Sequence, residues 1–239
     1  MNTFVLSEHW YVLLIMAIIS YLLGGLSGAV FISKKVKKED IREKGSGNPG
    51  TMNMARAYGF WFGFFTFVFD AAKGVLASLI GFLVYKNYQI DGVNVGDFAC
   101  YMNGFFVILG HIYPVAKKFK GGKGIATTCG VFMVGLISQS PWFWLIIPIA
   151  YISTLAFIYF VEYASLASLI IVSAFGITGF ILFSVEYAGV VTGWLVGLYA
   201  FVFLICALDW FAHRANIKRL LAGEEHKTSL KSMLKKKKK

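Results

Sequence analysis

Apolar residues in this chain come in long blocks, and the polar residues gather in short islands between them. Seven blocks stand out: Trp10–Ile32, Phe60–Tyr85, Phe98–Val115, Ile125–Gln139, Trp142–Phe160, Leu166–Phe183 and Val190–Phe211. A membrane-crossing helix needs roughly 20 apolar residues at about 1.5 Å each, and six of the blocks come within about two residues of that or exceed it. Ile125–Gln139 is short, and Phe98–Val115 ends on Pro114. Both read as helices that stop inside the protein. The expected fold is an all-α polytopic membrane bundle of about seven transmembrane helices. No leader peptide is expected, because the first block has no basic residue before it and Lys34 and Lys35 just after it.

Charge sets the orientation. Lys34, Lys35, Lys37, Lys38, Arg42, Lys44 and Arg56 lie between the first two blocks. Lys117, Lys118, Lys120 and Lys123 follow the third, and more cations follow the last. Lys86 stands alone on the other side, so the positive-inside rule predicts an outside N-terminus and a cytoplasmic C-terminus. An odd number of spans agrees, and a five-span arrangement with two re-entrant segments satisfies the same charge pattern. We expect one membrane domain over residues 1–230 and a basic cytoplasmic tail at 231–239, whose Lys235–Lys239 run suits anionic lipid. The 239 residues are 58% hydrophobic and only 15% charged, with net charge +11. That excludes an ordinary soluble enzyme, a disordered chain and a nucleic-acid module. The cysteines Cys100, Cys129 and Cys206 fall inside apolar blocks without C-x-x-C spacing, so neither a disulfide framework nor a thiolate metal site is expected.

Three polar patches carry candidate chemistry. The first runs from Gly45 to Arg56, with Ser46, Gly47, Asn48, Pro49, Gly50 and Asn53 between them. Its glycines suit a tight turn, Asn48 before Pro49 suits a helix N-cap, and a glycine turn feeding a helix N-terminus is an anion site. Arg56 would add a bidentate contact to phosphate. The bland alternative is a flexible capping loop. The second patch joins Gly110-His111-Ile112-Tyr113-Pro114 to Phe119-Lys120-Gly121-Gly122-Lys123-Gly124. It suits phosphate but lacks Walker A spacing, so a nucleotide triphosphatase is unsupported. His111 alone reads more readily as a packed histidine than as a base. The third patch runs from His213 through Arg214, Asn216, Lys218 and Arg219 to Lys227, for which an interfacial helix is the alternative. Inside the second block, Asp70 and Lys73 share a helical face, either as the floor of a polar cavity or as a structural ion pair.

Together these residues resemble the bacterial acyl-phosphate:glycerol-3-phosphate acyltransferases, an integral membrane family. Its pattern G-S-G-N-x-G-A-T-N-x-x-R corresponds to Gly45–Arg56. G-H-x-[FY]-P with F-K-G-G-K-G-[VI]-A-T corresponds to Gly110–Pro114 and Phe119–Thr127. H-R-x-N-I-x-R-L-L-x-G-x-E-x-K corresponds to His213–Lys227, and D-x-x-K-G to Asp70, Lys73 and Gly74. The chain departs at Thr51 and Met52, where the family usually has Ala and Thr, and at Glu162, where it commonly has Arg.

The resemblance implies acyl transfer from acyl phosphate to the 1-hydroxyl of glycerol 3-phosphate, giving lysophosphatidic acid and phosphate, in the cell membrane with the site facing the cytoplasm. It implies membrane lipid as surroundings, a functional link to the enzyme that makes acyl phosphate, and no cofactor, metal or nucleic acid. On this reading Ser46 and Gly45–Gly50 orient the acyl phosphate and Arg56 meets its phosphate. Lys120, Gly121, Gly122, Lys123 and Gly124 hold glycerol 3-phosphate, with Arg214 and Arg219 adding charge. His213 and Asn216 position the hydroxyl or the carbonyl, and His111, His213 or the substrate's own phosphate takes the proton. A transporter for a phosphorylated solute predicts midplane polar residues and an internal repeat. The polar clusters at the block ends, with no repeat, favour an enzyme over that rival and over a lipid-binding scaffold.

Overall fold

A computed structural model describes residues 1–235. It contains eleven α-helices among those residues: α1 (Leu6–Gly24), α2 (Gly28–Ile32), α3 (Thr51–Tyr58), α4 (Phe60–Tyr85), α5 (Val95–Ile112), α6 (Ile125–Gln139), α7 (Phe143–Val161), α8 (Ala164–Glu186), α9 (Gly193–Ala212), α10 (Arg214–Leu221) and α11 (Leu230–Lys235). Six of them, α1, α4, α5, α7, α8 and α9, are long and apolar enough to cross a membrane. The 15-residue α6 is too short to do so alone and is largely buried between its neighbours. The polytopic helical reading therefore holds, with α6 as the short seventh member.

Exposure follows from the solvent. On α7, Trp144, Leu145, Ile149 and Ile152 are exposed, and α1 presents Trp10, Leu14, Ile18 and Leu22 outward. In water such a belt would aggregate; in lipid it is the outer surface. The inner layer is α5 with α4, α6 and α9, around Tyr101, Ile108, Phe132, Phe183, Leu198 and Ile205. With no hydrophobic drive between helices in lipid, close backbone approach through small residues does the packing. A Cβ on Gly74 of α4 would stand 2.2 Å from the Thr127 carbonyl oxygen, and one on Gly130 of α6 would stand 2.1 Å from that of Ala71. Each glycine admits the other helix.

Two features add to the expected picture. The first apolar block is not one helix: it breaks at Gly25–Ser27 between α1 and α2. The break is spliced by residues from elsewhere in the chain. Lys73 Nζ donates to the Gly24 and Leu26 carbonyls at 2.9 and 2.6 Å, and Lys117 Nζ donates to Gly25 O at 2.8 Å. Asp70 Oδ1 accepts from Gly28 N at 3.2 Å and lies 3.1 Å from Lys73 Nζ. The cation thus meets a helix C-terminus and the carboxylate a helix N-terminus, matching the peptide dipoles. The Asp70–Lys73 pair is a structural splice. The second is a small sheet beside the all-α bundle: β1 (Asn2–Thr3) pairs parallel with β2 (Tyr88–Ile90), which pairs antiparallel with β3 (Val93–Asn94). Asp91 and Gly92, with φ of 48° and 82°, form its turn, the sequence signal of a tight hairpin.

The helices alternate direction, so this sheet lies at one end of the bundle and the three motif loops at the other. The proposed tail boundary at residue 231 falls within α11, whose Leu230 and Met233 are buried against Ala55, Ile158, Ala164 and Ala167. The remainder of the Lys235–Lys239 run, from residue 236 on, lies outside the described residues.

Candidate active site

The first motif is a loop pinned by one side chain. Asn53 in α3 is buried; its Oδ1 accepts from Ser46 N at 3.2 Å, and its Nδ2 donates to Lys44 O at 2.9 Å and Ile41 O at 3.3 Å. Gly45 adopts φ +56°, and a Cβ there would stand 2.4 Å from Asn53 Oδ1, so glycine is required twice over. Asn53 therefore holds the loop, with both functional atoms of its amide engaged. Asn48 is not the helix cap: α3 begins at Thr51, with Gly50 at the N-cap and Asn48-Pro49 in the preceding turn. Lys44, Gly45, Ser46, Asn53 and Arg56 line a hollow of about 500 Å³ together with Ala57 and His226.

The second motif divides in two. The N–H groups of Gly121 and Gly122 donate to the carbonyls of Ile112 and His111, both at 3.1 Å, so they are not free for phosphate. A Cβ on Gly122 would lie 2.2 Å from His111 Nε2. These glycines let the loop lie flat on the end of α5. His111 is buried, with Nδ1 2.7 Å from Lys73 Nζ, and lines neither hollow. It couples the spliced break to the loop. Lys120 faces away, into a second hollow of about 440 Å³ beside Gly47, Arg42, Lys117, Lys118 and Gly121. Lys123 turns inward and hydrogen-bonds Asn216 Oδ1. Gly124, at φ +92°, is the N-cap of α6.

The third motif completes the cluster. Glu225 is its hub: Oε1 accepts from Asn216 Nδ2 at 2.6 Å and from Ser165 Oγ at 2.8 Å, and Oε2 accepts from Arg219 Nε at 2.8 Å. Glu225 and Ser165 are absent from the residues singled out in the sequence, although Glu225 is the acidic position of the third motif. Arg214 points elsewhere, over the Phe211 ring at 4.6 Å and onto Phe211 O at 3.1 Å. His213 is buried at the junction of α9 and α10, its Nδ1 2.8 Å from Asp209 O. Glu162 adopts φ +63°, and its carbonyl accepts from Thr228 N at 2.6 Å, docking the segment after α10 on the end of α7.

Electrostatics ties these elements together. Burial lowers the Lys123 pKa to about 8, opposed by Glu225 and assisted by Arg219 and Arg56. Burial also lowers Arg56, with Glu225 opposing, yet a guanidinium stays charged. For Glu225, burial pushes upward, but hydrogen bonds from Asn216, Ser165 and Arg219 together hold it below the usual carboxylate value. His213 falls to about 4, chiefly through burial, so it is neutral at pH 7. With Nδ1–H directed to Asp209 O, its Nε2 is left as an acceptor. Three cations from three distant stretches of chain thus surround one carboxylate, an arrangement suited to a phosphate dianion.

Known proteins carry the same organisation. The family model described as glycerol-3-phosphate acyltransferase matches residues 14–223. The glycerol-3-phosphate acyltransferase of Finegoldia magna is 35% identical over 219 residues, covering 92% of this chain and 98% of that relative. That of Thermoanaerobacter pseudethanolicus is 36% identical over 219 residues, covering 92% and 97%. A crystal structure of PlsY (YgiH), an integral membrane glycerol 3-phosphate acyltransferase, in its glycerol 3-phosphate form matches with a TM-score of 0.73 at 31% identity, covering 93% of this chain and 98% of that one. Its lysophosphatidic acid form matches with a TM-score of 0.72 at 30% identity over the same shares. By sequence, length and fold, the chain belongs to the glycerol-3-phosphate acyltransferase family as an integral membrane member.

Proposed function

We propose that the protein transfers a fatty acyl group from acyl phosphate to the 1-hydroxyl of glycerol 3-phosphate, at the motif-bearing end of the bundle and facing the cytoplasm of the cell membrane. The observation that carries this reading is the Arg56–Lys123–Arg219 cluster around Glu225. Two phosphate-bearing substrates bring nearly four negative charges, and the cluster, with its excess of about two positive charges, and the N-terminus of α6 offset a large part of them. The excess of cations at this end, in the loops after α2 and α5, supports the cytoplasmic orientation. The relatives' glycerol 3-phosphate and lysophosphatidic acid forms fit the acceptor and the product.

Acyl phosphate is a mixed anhydride with a good leaving group, so positioning is the main requirement, worth about 7–11 kcal/mol at best. The glycerol hydroxyl oxygen attacks the acyl carbonyl carbon. A C–O ester bond forms, the bond from that carbon to the phosphate oxygen breaks, and phosphate and lysophosphatidic acid leave. Arg56, with Ser46 and the loop that Asn53 pins, holds the donor phosphate. Lys123 and Arg219, held by Asn216 and Glu225, hold the acceptor phosphate. Neutral His213 orients the hydroxyl through Nε2, and its pKa of about 4 suits it to accept a hydrogen bond rather than retain a proton. The proton passes to phosphate, whose second ionisation lies near neutrality. His111, Asn53, Gly121 and Gly122 shape the loops, and Lys120 and Arg214 take no direct part.

The test is product formation by the purified protein in lipidic medium, given labelled glycerol 3-phosphate with palmitoyl phosphate or palmitoyl-CoA. Labelled lysophosphatidic acid from palmitoyl phosphate alone is the expected result. Product from palmitoyl-CoA alone overturns the donor assignment.

A further inference from the structure

The second hollow lies across the Gly45–Pro49 loop from Arg56 and has no role in the transfer described above. Arg42, Lys117, Lys118 and Lys120 converge on it, and no carboxylate lines it. Two of these cations are already satisfied. Arg42 is clamped by Asp40 at 3.0 and 2.6 Å, and Lys117 donates to Gly25 O at 2.8 Å. Lys118 and Lys120 are exposed, and among the described residues their ammonium groups make no hydrogen bond or ion pair; only their backbone N–H groups are engaged, with Val115 O and Lys117 O. The turn that carries them is held in a defined shape. Lys117 N and Phe119 N both donate to Pro114 O at 3.0 Å, while Gly121 N is fixed to Ile112 O. Lys118 and Phe119 consequently sit at φ 51° and 60°, a region that such residues enter rarely.

The surroundings indicate what kind of anion fits. The hollow lies where the ends of the membrane-crossing helices α1 and α5 meet, tied by the Lys117–Gly25 bond. Beside it, Val115 and Phe119 are 54% and 58% exposed, and Leu22 and Leu26 at the end of α1 are 56% and 55% exposed. Uncompensated lysines next to bare apolar side chains match an amphiphile, with phosphate in the hollow and acyl chains along α1. A free phosphate would use the lysines and leave the apolar rim unused.

We propose that this hollow binds the phosphate of an anionic phospholipid headgroup, at a site separate from both substrates. The chemistry shared with any phosphate is the Lys118–Lys120 pair; the lipid is favoured by the apolar rim. Native mass spectrometry of the full chain tests this, with release from neutral phosphatidylcholine nanodiscs doped with phosphatidylglycerol, or with inorganic phosphate added instead. Phosphatidylglycerol should be retained over phosphatidylcholine. Retention should fall at least fivefold in Lys118→Asn/Lys120→Gln, in which Asn tolerates the left-handed turn, and return in Lys118→Arg/Lys120→Arg. It should persist in Arg56→Ala, which separates this hollow from the reaction site. If the double variant fails to elute as folded protein, the single Lys118→Asn is read in the same way, with a smaller drop expected. Equal retention in wild type and variant overturns the proposal. So does loss in Arg56→Ala, and so does retention of inorganic phosphate without lipid.

Discussion

The two ends of this bundle each hold a carboxylate that joins several elements, with different results. At the sheet end, Asp97 at the start of α5 accepts from Tyr187 Oη at 2.6 Å and from Gln139 Nε2 at 2.8 Å, tying α5 to the ends of α6 and α8. The donors are neutral, and the group is buried. At the motif end, Glu225 joins Ser165, Asn216 and Arg219, with Lys123 on Asn216 and Arg56 within electrostatic reach. Here one carboxylate stands among three cations. The first network closes on itself and contributes to stability. The second is assembled and left with an excess of about two positive charges, the charge of a phosphate dianion.

The largest effect is expected from removing one of the three cations. Arg56→Ala should lower kcat/KM by about 3–4 kcal/mol, roughly 200- to 1000-fold, through loss of charge-assisted contacts to a phosphate. The circular dichroism spectrum should be unchanged, and a decline under tenfold in steady-state assays would remove Arg56 from the donor site. Removing the hub comes next. Glu225→Ala should cost about 1–3 kcal/mol of transition-state stabilisation, roughly 5- to 160-fold, by freeing Arg219 and Asn216. Glu225→Gln, which still accepts one hydrogen bond, should fall between, and kinetics of the two side by side decide it.

A pH profile sharpens the contrast further. Lys123 loses its proton as pH rises through about 8, so kcat/KM should fall about tenfold per unit above that value. Lys123→Arg should move the falling limb out of range. Stability has the opposite sign. Between about 8 and the ordinary lysine value of 10.5, the unfolded chain binds the proton that the folded chain lacks, so this group makes folding more favourable as pH rises. The smallest effect on catalysis belongs to the sheet end. Tyr187→Phe should reduce stability by about 1–3 kcal/mol, seen as a lower melting temperature in detergent, with activity within twofold of wild type.

What was legible in the sequence depended on the range of the interactions. Apolar block length announces the spans, and the glycine-rich and cationic motifs announce the loops, because both are local. The break after Gly24 was not legible, because the groups that make it tolerable are Lys73 and Lys117, remote in the chain. Neither was the division between Lys120 and Lys123, which depends on the intervening glycines lying flat on the end of α5. Those glycines look like a phosphate cradle in one dimension and serve close packing against His111 in three. Asn48 has the composition of a cap, but the turn through Gly47 and Gly50 delays the helix to Thr51. Met52, a departure from the family pattern, packs beside Ala55 near Leu230 and Met233. Its meaning lies in a segment beyond the matched family region.

The position of Glu225 along the chain has a consequence for biosynthesis. The ribosome makes the loop bearing Arg56 early, Lys123 midway and Glu225 only after every membrane-crossing helix has been synthesised. A nascent chain that ends between Arg219 and Glu225 carries all three cations without the residue that arranges them. On the proposed reading, membrane insertion alone yields a weakly active intermediate, and full competence waits for the segment after α10 to fold back onto α8 through the Glu225–Ser165 contact.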